Sequence, residues 1–323
     1  MAQTRSAQAT APTRSAPSVI ARGGTGPWRR IAQERWMYLF IIPGALYFLV
    51  FAYLPLLGNV IAFKDYSPFL GILESPWAGL ENFRKLVTDR DFHIALANTL
   101  KIELLQLAFA FPAPLLLALV LNSIISERTK RGMQSLVYLP HFLSWVIVIA
   151  LWQQIFGGAG FINQLLRNQG LGGLNIMNSP AFFKPLVVLE SIWKDMGWGT
   201  IIFLAALTKI DIALYEAAVV DGANGWRRLW HVTLPGIRSV IVLLLILRLG
   251  AALSVGFEQY FLQRGAVGPE AAEVLDTFTY FRGIQGGDWG FATAVGLVRG
   301  VVGTALVVTA NWAAKRFGEE GIY

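Results

Sequence analysis

The chain has 323 residues, of which 55% are hydrophobic and 15% charged, with a net charge of +7 and no cysteine; soluble domains carry about 25% charged residues. That balance, with a mean hydropathy of +0.52, excludes an ordinary globular enzyme. The lack of cysteine removes disulfides, thiolate metal sites and cysteine nucleophiles. His93, His141 and His231 are too scattered to suggest a metal cluster, and in so apolar a chain the basic excess points to cytoplasmic loops, not to nucleic acid.

Residues 1–36 form a first region. "MAQTRSAQATAPTRSAPSVIARGG" is rich in Ala, Ser, Thr and Arg and lacks acids, a composition shared by transit peptides and by disordered cytoplasmic tails whose arginines fix orientation and touch anionic lipid. It is read as a largely disordered tail. No cleavable apolar signal is expected, because the first apolar stretch begins too late and is too long. Residues 37–323 then hold six stretches that suit a bilayer core of about 30 Å, which needs roughly 20 helical residues. They are Met37–Val60, Ala97–Asn122, Gln134–Phe156, Lys184–Leu207, Ile237–Phe257 and Trp289–Ala313. Long continuous apolar runs indicate helices, not a barrel. The fold class is therefore all-α integral membrane with six transmembrane helices.

Orientation follows from Lys and Arg in the loops. Arg5, Arg14, Arg22, Arg29, Arg30 and Arg35 precede the first stretch, against a single Glu34. Arg128, Lys130 and Arg131 follow the second; Lys209, Arg227 and Arg228 follow the fourth; Lys315 and Arg316 follow the sixth. On the other side, Arg264 and Arg282 are outweighed by Glu258, Glu270, Glu273, Asp276 and Asp288. Both termini are expected to be cytoplasmic, as an even number of spans requires.

Between the fourth and fifth stretches the chain reads "EAAVVDGANGWRRLWHVTLPGI". Asp211 is a good cap for a short helix, in which Leu214, Tyr215, Ala218 and Val219 share a face by 3.6-residue spacing. Asp221-Gly222 is a turn signal. Asn224 can cap a second short helix bearing Trp226, Leu229 and Trp230, with Arg227 and Arg228 facing elsewhere. Leu234-Pro235 is expected to end it, because a residue before Pro avoids the α region. Such a helix–turn–helix knob leaves aromatics exposed unless the lipid interface or a protein groove covers them.

The order Glu216-Ala217-Ala218, three residues, Gly222, then Leu234-Pro235 resembles the EAA loop of ABC importer permeases. "GLENFRKLVTDRDFHIALANTL" is similar to the segment before the second span in permeases of the maltose-transporter type, and "WKDMGWGTIIFLAALTKI" to the span leading into the loop. "VLDTFTYFRGIQGGDWGFATAVGL" and "AKRFGEEGIY" resemble a subgroup for complex and uronate-rich oligosaccharides, possible alginate importers among them. The likeness covers Trp36 to Tyr323. It implies the type I ABC importer permease fold, with residues 211–237 as coupling helices docked in a cleft of an ATPase subunit. Glu216 would face basic or polar groups there, Gly222 would make the turn, Asp221 would cap or brace it, Leu234 and Pro235 would anchor the exit, and Ala217, Ala218, Ala223 and Trp226 would lie at the contact. Two departures concern local geometry: "KIDIAL" and "GIRSV" lack prolines frequent in the family.

The resemblance further implies a second homologous permease subunit, most simply a heterodimer, two ABC ATPase subunits and an extracytoplasmic sugar-binding protein, in the bacterial inner membrane. No P-loop sequence G-x-x-x-x-G-K-[ST] and no nucleophile elbow occurs; "RGGTGPW" reads as linker. The chain is thus expected to hold no cofactor and no catalytic or metal-binding residue, with ATP and Mg on the partner ATPase. Charges at membrane depth cost about 2.5–3.5 kcal/mol on insertion scales, so several need accounts. Glu190 and Lys194, one turn apart, can pair; Lys101 and Lys184 can snorkel. Arg248 and Arg299 can form ion pairs inside the bundle or attract an anionic sugar. Trp193, Trp198, Phe257, Glu258, Gln259 and Tyr260 can offer aromatic faces and hydrogen bonds to sugar, or serve packing and the interfacial belt. Asn163 reads as a loop cap, and His141 as a packed or backbone-bonded residue. Acidic oligosaccharide, such as alginate or pectin fragments, is the first expectation. The alternatives are neutral oligosaccharide, a secondary transporter whose loop lies on lipid, and a membrane-embedded enzyme, for which Glu190 and Asp195 are poorly spaced.

Overall fold

The computed structural model describes residues 35–319 and 321–322; Arg5, Arg14, Arg22, Arg29, Arg30 and Glu34 lie outside them. Among the described residues every regular element is helical, apart from one isolated bridge between Lys64 and Trp77. The chain divides into two units, one ending at Leu57 and one beginning at Gly58. The first holds α1 (Arg35–Phe48), which contains Pro43 and continues through a π turn at Leu49–Tyr53.

The second unit is ordered by capped helices. They are α2 (Glu81–Thr88), α3 (Arg90–Leu105), α4 (Pro112–Asn122), α5 (Glu127–Tyr138), α6 (Trp145–Phe156), α7 (Phe161–Asn168), α8 (Phe183–Leu207), α9 (Ile212–Val220), α10 (Gly225–Arg228), α11 (Arg238–Gly250), α12 (Glu258–Val267) and α13 (Trp289–Arg316). Side chains of Asp89, Ser126, Ser144 and Asp288 accept backbone N–H bonds at the starts of α3, α5, α6 and α13, which satisfies donors that a helix start leaves free.

Among the described residues, four helical runs are long and apolar enough to cross a membrane: Trp36–Phe63, Arg90–Asn122, Trp145–Asn168 and Trp289–Arg316. A fifth arises if Gly225–Gly236 and Arg238–Gly250, bent by 61°, count as one. The sequence-based edges need two corrections. Gln134–Phe156 is not one helix: Pro140 lacks an N–H, the chain tightens into a 3-10 turn at Leu139–Phe142, and Ser144 starts α6 afresh. Ile237–Phe257 is also not one helix, since α11 ends at Gly250 after 13 residues, about 20 Å against a core of about 30 Å. Lys184–Leu207 does form a single helix, α8, of 25 residues, but Lys184, Glu190, Lys194 and Asp195 keep it out of the apolar set.

Helix α8 is the centre of the packing. Phe203, Leu204, Ala206 and Leu207 close on Ala118 and Leu121 of α4 and on Ile237. Phe183 and Val187 meet Ile102, Tyr260 and Val274. A third cluster gathers Phe92 and Ala95 of α3 with Leu275, Phe278, Phe291 and Val295. Asn98 ties α3 to the segment after α12 by donating to the carbonyls of Glu270 and Glu273 at 3.0 Å each. Since lipid tails are as apolar as the side chains, such helices associate by close packing and internal polar bonds. Gly197 shows how close: a Cβ there would lie 1.9 Å from the Val137 carbonyl oxygen of α5.

Gly197→Ala should therefore force α8 off α5. We expect a loss of at least about 3 kcal/mol, the upper range for overpacking, read as a lower Tm and an aggregated size-exclusion profile in detergent. Gly132→Ala, with nothing within 4 Å of the added carbon, should be neutral or stabilising by about 0.5–1 kcal/mol.

Candidate functional site

Two constellations carry the residues singled out from sequence. The first is the 211–237 elbow. Asp211 caps α9, its Oδ1 accepting from Ala213 N at 2.9 Å. At the far end Ala223 N donates to Ala218 O at 2.8 Å and Gly222 N to Val219 O at 3.0 Å. These are the paired bonds of a left-handed helix end, and Gly222 takes φ +73° to make them. They brace the turn, and the Asp221 carboxylate expected to do so has no hydrogen bond or ion pair among the described residues. Asn224 Oδ1 then accepts from Arg227 N at 2.9 Å and starts α10.

The second helix of the elbow does not stop at Leu234-Pro235. A π turn at Leu229–Thr233 passes into Leu234–Gly236, with Leu234 at φ −64°, ψ −43°. The wider turn removes the clash that a proline ring makes with the carbonyl four residues back, so the steric rule for residues before proline is overridden here. The Thr233 hydroxyl donates to Arg228 O at 3.4 Å and lies 3.0 Å from the Tyr215 hydroxyl. That second contact pins the two helices together, and sequence spacing, which placed Tyr215 on an apolar face, did not anticipate it. Ile237 is fully buried beside α4 and α8, so the exit is anchored.

The outward surface of the elbow is apolar. Val220, Trp226 and Trp230 are 87%, 67% and 53% exposed, and the two indoles meet edge to face at 5.8 Å. Glu216, Ala217 and Asp221 are exposed beside them, while Ala218 and Ala223 are half-buried. The residues named for docking thus lie on one elbow, with the indoles and Val220 free of internal contacts that would cover them.

The second constellation is a set of polar groups inside the bundle. Arg248 of α11 holds Glu103 of α3 in a two-pronged pair, Nε to Oε1 and Nη2 to Oε2, both 2.8 Å, and also donates to Gln106. Gln106 in turn donates to the Tyr260 hydroxyl at 3.3 Å. Arg299 of α13 donates to Asp276 and to Ser254, both at 2.7 Å. Both arginines therefore take the ion-pair option, with Arg248 still lining a cavity of about 470 Å³ with Gln106, Phe111, Ser191, Asp195 and Met196.

The one-turn pair between Glu190 and Lys194 does not form. Glu190 is fully buried and its Oε2 accepts from Gln259 and Gln263 at 2.8 and 2.7 Å. Lys194 points the other way and donates to the carbonyls of His141 and Leu143, 2.7 Å each, which are left bare where Pro140 breaks the helix. Its ammonium also lies 5.6 Å from the Trp145 ring centre. His141 bonds to a carboxylate, not to backbone: Nδ1 is 2.8 Å from Asp195 Oδ1, and the imidazole stacks on Trp198 at 4.6 Å. Tyr260 is fully buried against Phe183. Glu190, Lys194 and Tyr260 are thus interior groups in this structure. Trp193, Trp198 and Phe257 keep 37%, 48% and 37% exposure, enough for a ring face. Asn163 is the loop cap it was expected to be, donating to Gly157 O and Leu174 O at 2.8 Å. Lys184 reaches Ala271 O at 3.5 Å. Gln106, Gln263 and Asp276 were not foreseen: the glutamines are uncharged, and Asp276, in the short helix Leu275–Thr279, lies outside every apolar stretch.

The sequence profile of the family described as "Binding-protein-dependent transport system inner membrane component" matches residues 110–318. The chain belongs to this family. It is 45% identical to protein LplB of Bacillus subtilis over 311 residues, covering 96% of this chain and 98% of that protein. It is 48% identical to the polygalacturonan/rhamnogalacturonan transport system permease protein YteP of the same organism over 295 residues, 91% and 92% of the two chains. Among solved structures it superposes with a TM-score of 0.84 and 36% identity on a chain of a bacterial alginate ABC transporter in complex with alginate pentasaccharide-bound periplasmic protein, covering 92% of this permease and 99% of that chain. The all-α membrane architecture read from the sequence is that of this family.

Removing Arg248 strands a buried carboxylate. Arg248→Met should lower stability by about 3 kcal/mol, the low end for a broken buried pair because the guanidinium is part-exposed, and Glu103→Gln with Arg248→Met should recover most of it. Thermal melts of the four proteins in detergent test this. Glu190 Oε1 has no partner; Glu190→Gln keeps the acceptor that both glutamines use and removes the charge, so it should melt at or above the wild-type temperature. Glu190→Ala, which leaves both glutamine amides unpaired, should lose about 1–3 kcal/mol.

Proposed function

We propose that the chain is the permease subunit of an ATP-driven ABC importer that moves acidic oligosaccharide, of the alginate or pectin kind, from an extracytoplasmic binding protein into the cytoplasm. It pairs with a second homologous permease, and two ATPase subunits that hold ATP and Mg dock from the cytoplasm. The six stretches cross the inner membrane, the third and fifth as broken helices, α8 with its charges turned to partners within the bundle, and both termini are cytoplasmic.

The observation that carries this reading is the elbow: an exposed apolar surface with Val220, Trp226 and Trp230, stiffened by the Tyr215–Thr233 bond and continuous through buried Ile237 into α11. Closure of the ATPase dimer pushes this rigid piece, and α11 moves with it. Because bistable packed helices switch between discrete arrangements, a cavity open to one side becomes open to the other. Sugar passes along exposed ring faces of Trp193, Trp198 and Phe257, under the field of Arg248 and Arg299. The choice of acidic sugar is supported by relatives whose names carry polygalacturonan, rhamnogalacturonan and alginate.

Three measurements test it. Gly222→Leu should insert normally yet abolish uptake and ATPase stimulation, since a left-handed backbone costs a non-glycine residue about 1–2 kcal/mol and misplaces the turn; normal uptake would refute the coupling role. Trp226→Asp should weaken retention of the ATPase in mild detergent by roughly 30-fold, the effect of losing an interfacial anchor. Oligogalacturonate or oligoalginate uptake into vesicles should require ATP; uptake driven by an ion gradient would mark a secondary transporter, and preference for a neutral oligosaccharide would overturn the substrate class.

A further inference from the structure

The last helix and the helix that follows the elbow are fastened at both ends. At one end α11 and α13 touch through glycines: a Cβ on Gly303 would lie 2.7 Å from Gly250 O, and one on Gly250 would lie 2.5 Å from Val307. At the other end the fastening is ionic. Arg238, the first residue of α11, forms an ion pair with Glu319, Nε lying 2.7 Å from Oε1. A guanidinium in the first turn sits at the positive end of the helix, where cations are disfavoured, so its position is not explained by the helix itself. Glu319 is only 12% exposed.

The C-terminus is built to hold Glu319 there. Helix α13 closes with Gly318 N on Lys315 O at 3.1 Å and Glu319 N on Ala314 O at 3.0 Å, the two bonds of a Schellman end. Downstream, Ile322 N donates to Asn311 Oδ1 at 2.7 Å, and Asn311 is buried. Two backbone anchors on α13 thus flank Glu319 and aim it at the residue after the bend. The bend is at Ile237, where the elbow helix and α11 meet at 61°.

We propose that the Arg238–Glu319 pair is a strut that joins the elbow's exit to α13, so that α11 and α13 swing together and the elbow's displacement reaches Arg299 as well as Arg248. Both residues are positioning residues: neither touches sugar or nucleotide. This rests on the coupling reading of the elbow.

The test uses the full transporter in vesicles, with its own ATPase and binding protein and oligogalacturonate as the transported probe. It reads sugar taken up per ATP hydrolysed. Arg238→Glu and Glu319→Arg, each alone, should keep the ATPase bound but lower that ratio at least about fivefold, the lower end of coupling effects. The exchanged pair, R238E with E319R, should restore most of it. Arg238→Gln and Glu319→Gln, which remove attraction without adding repulsion, should move the ratio the same way and serve if a reversal fails to assemble. Wild-type ratios in the single variants, or an exchanged pair no better than the worse single, overturn the strut. Trp226→Asp separates the two readings. If it leaves ATPase binding and uptake intact, the coupling reading fails; if it abolishes them while the charge variants couple normally, only the strut fails.

Discussion

A polar group that leaves water for the interior of this bundle has to be met by another segment of the chain, and those meetings decide which helices touch. Hydrocarbon offers no hydrogen bonds, so an unpaired group there costs several kcal/mol. Glu103 on α3 is held by Arg248, 145 residues later. Glu190 on α8 is held by two glutamines of α12. Asn98 and Thr99 on α3 hold the backbone at 270–275. Each contact is long in sequence, and together they draw α8, α11 and α12 onto α3 and the segment that follows it.

Apolar packing fills the space between these fixed points. Small residues let the backbones come close, Gly197 against α5 being the tightest case. The arrangement also explains why α8 can carry four charged residues and remain a helix. Lys184, Glu190, Lys194 and the Asp195–His141 contact each have a named partner on a different element. None of those partners is on α8, so the helix carries its charges by drawing on other elements, with Glu190 Oε1 alone among the four left unmet.

How much of this could be read beforehand depends on the kind of signal. Helix class and the caps at Asp211 and Asn224 follow from residue type and local spacing, and they stand. The family was legible from the spacing of Glu216, Gly222 and Leu234-Pro235. What failed was partner choice. A separation of four suggested that Glu190 would pair with Lys194, but the carbonyls left bare between the 3-10 turn and α6 and the amides of α12 are stronger claimants and lie far off in sequence. The end of the elbow was misjudged because a π turn, which has no clear sequence mark, relieves the proline. The length of α11 was overestimated because hydropathy counts residues and not hydrogen bonds: apolar residues run on past Gly250, where the helix stops.

The Lys194 contact has a bearing on biogenesis. The two carbonyls it covers are made 53 and 51 residues before the lysine itself. While a ribosome is still translating the intervening stretch, the kink at Pro140 has bare acceptors and no donor for them. In the folded chain those acceptors are met only once α8 stands beside them. The fourth hydrophobic stretch, too charged to enter lipid comfortably alone, would be drawn in by the very groups that need it, each making the other's insertion favourable.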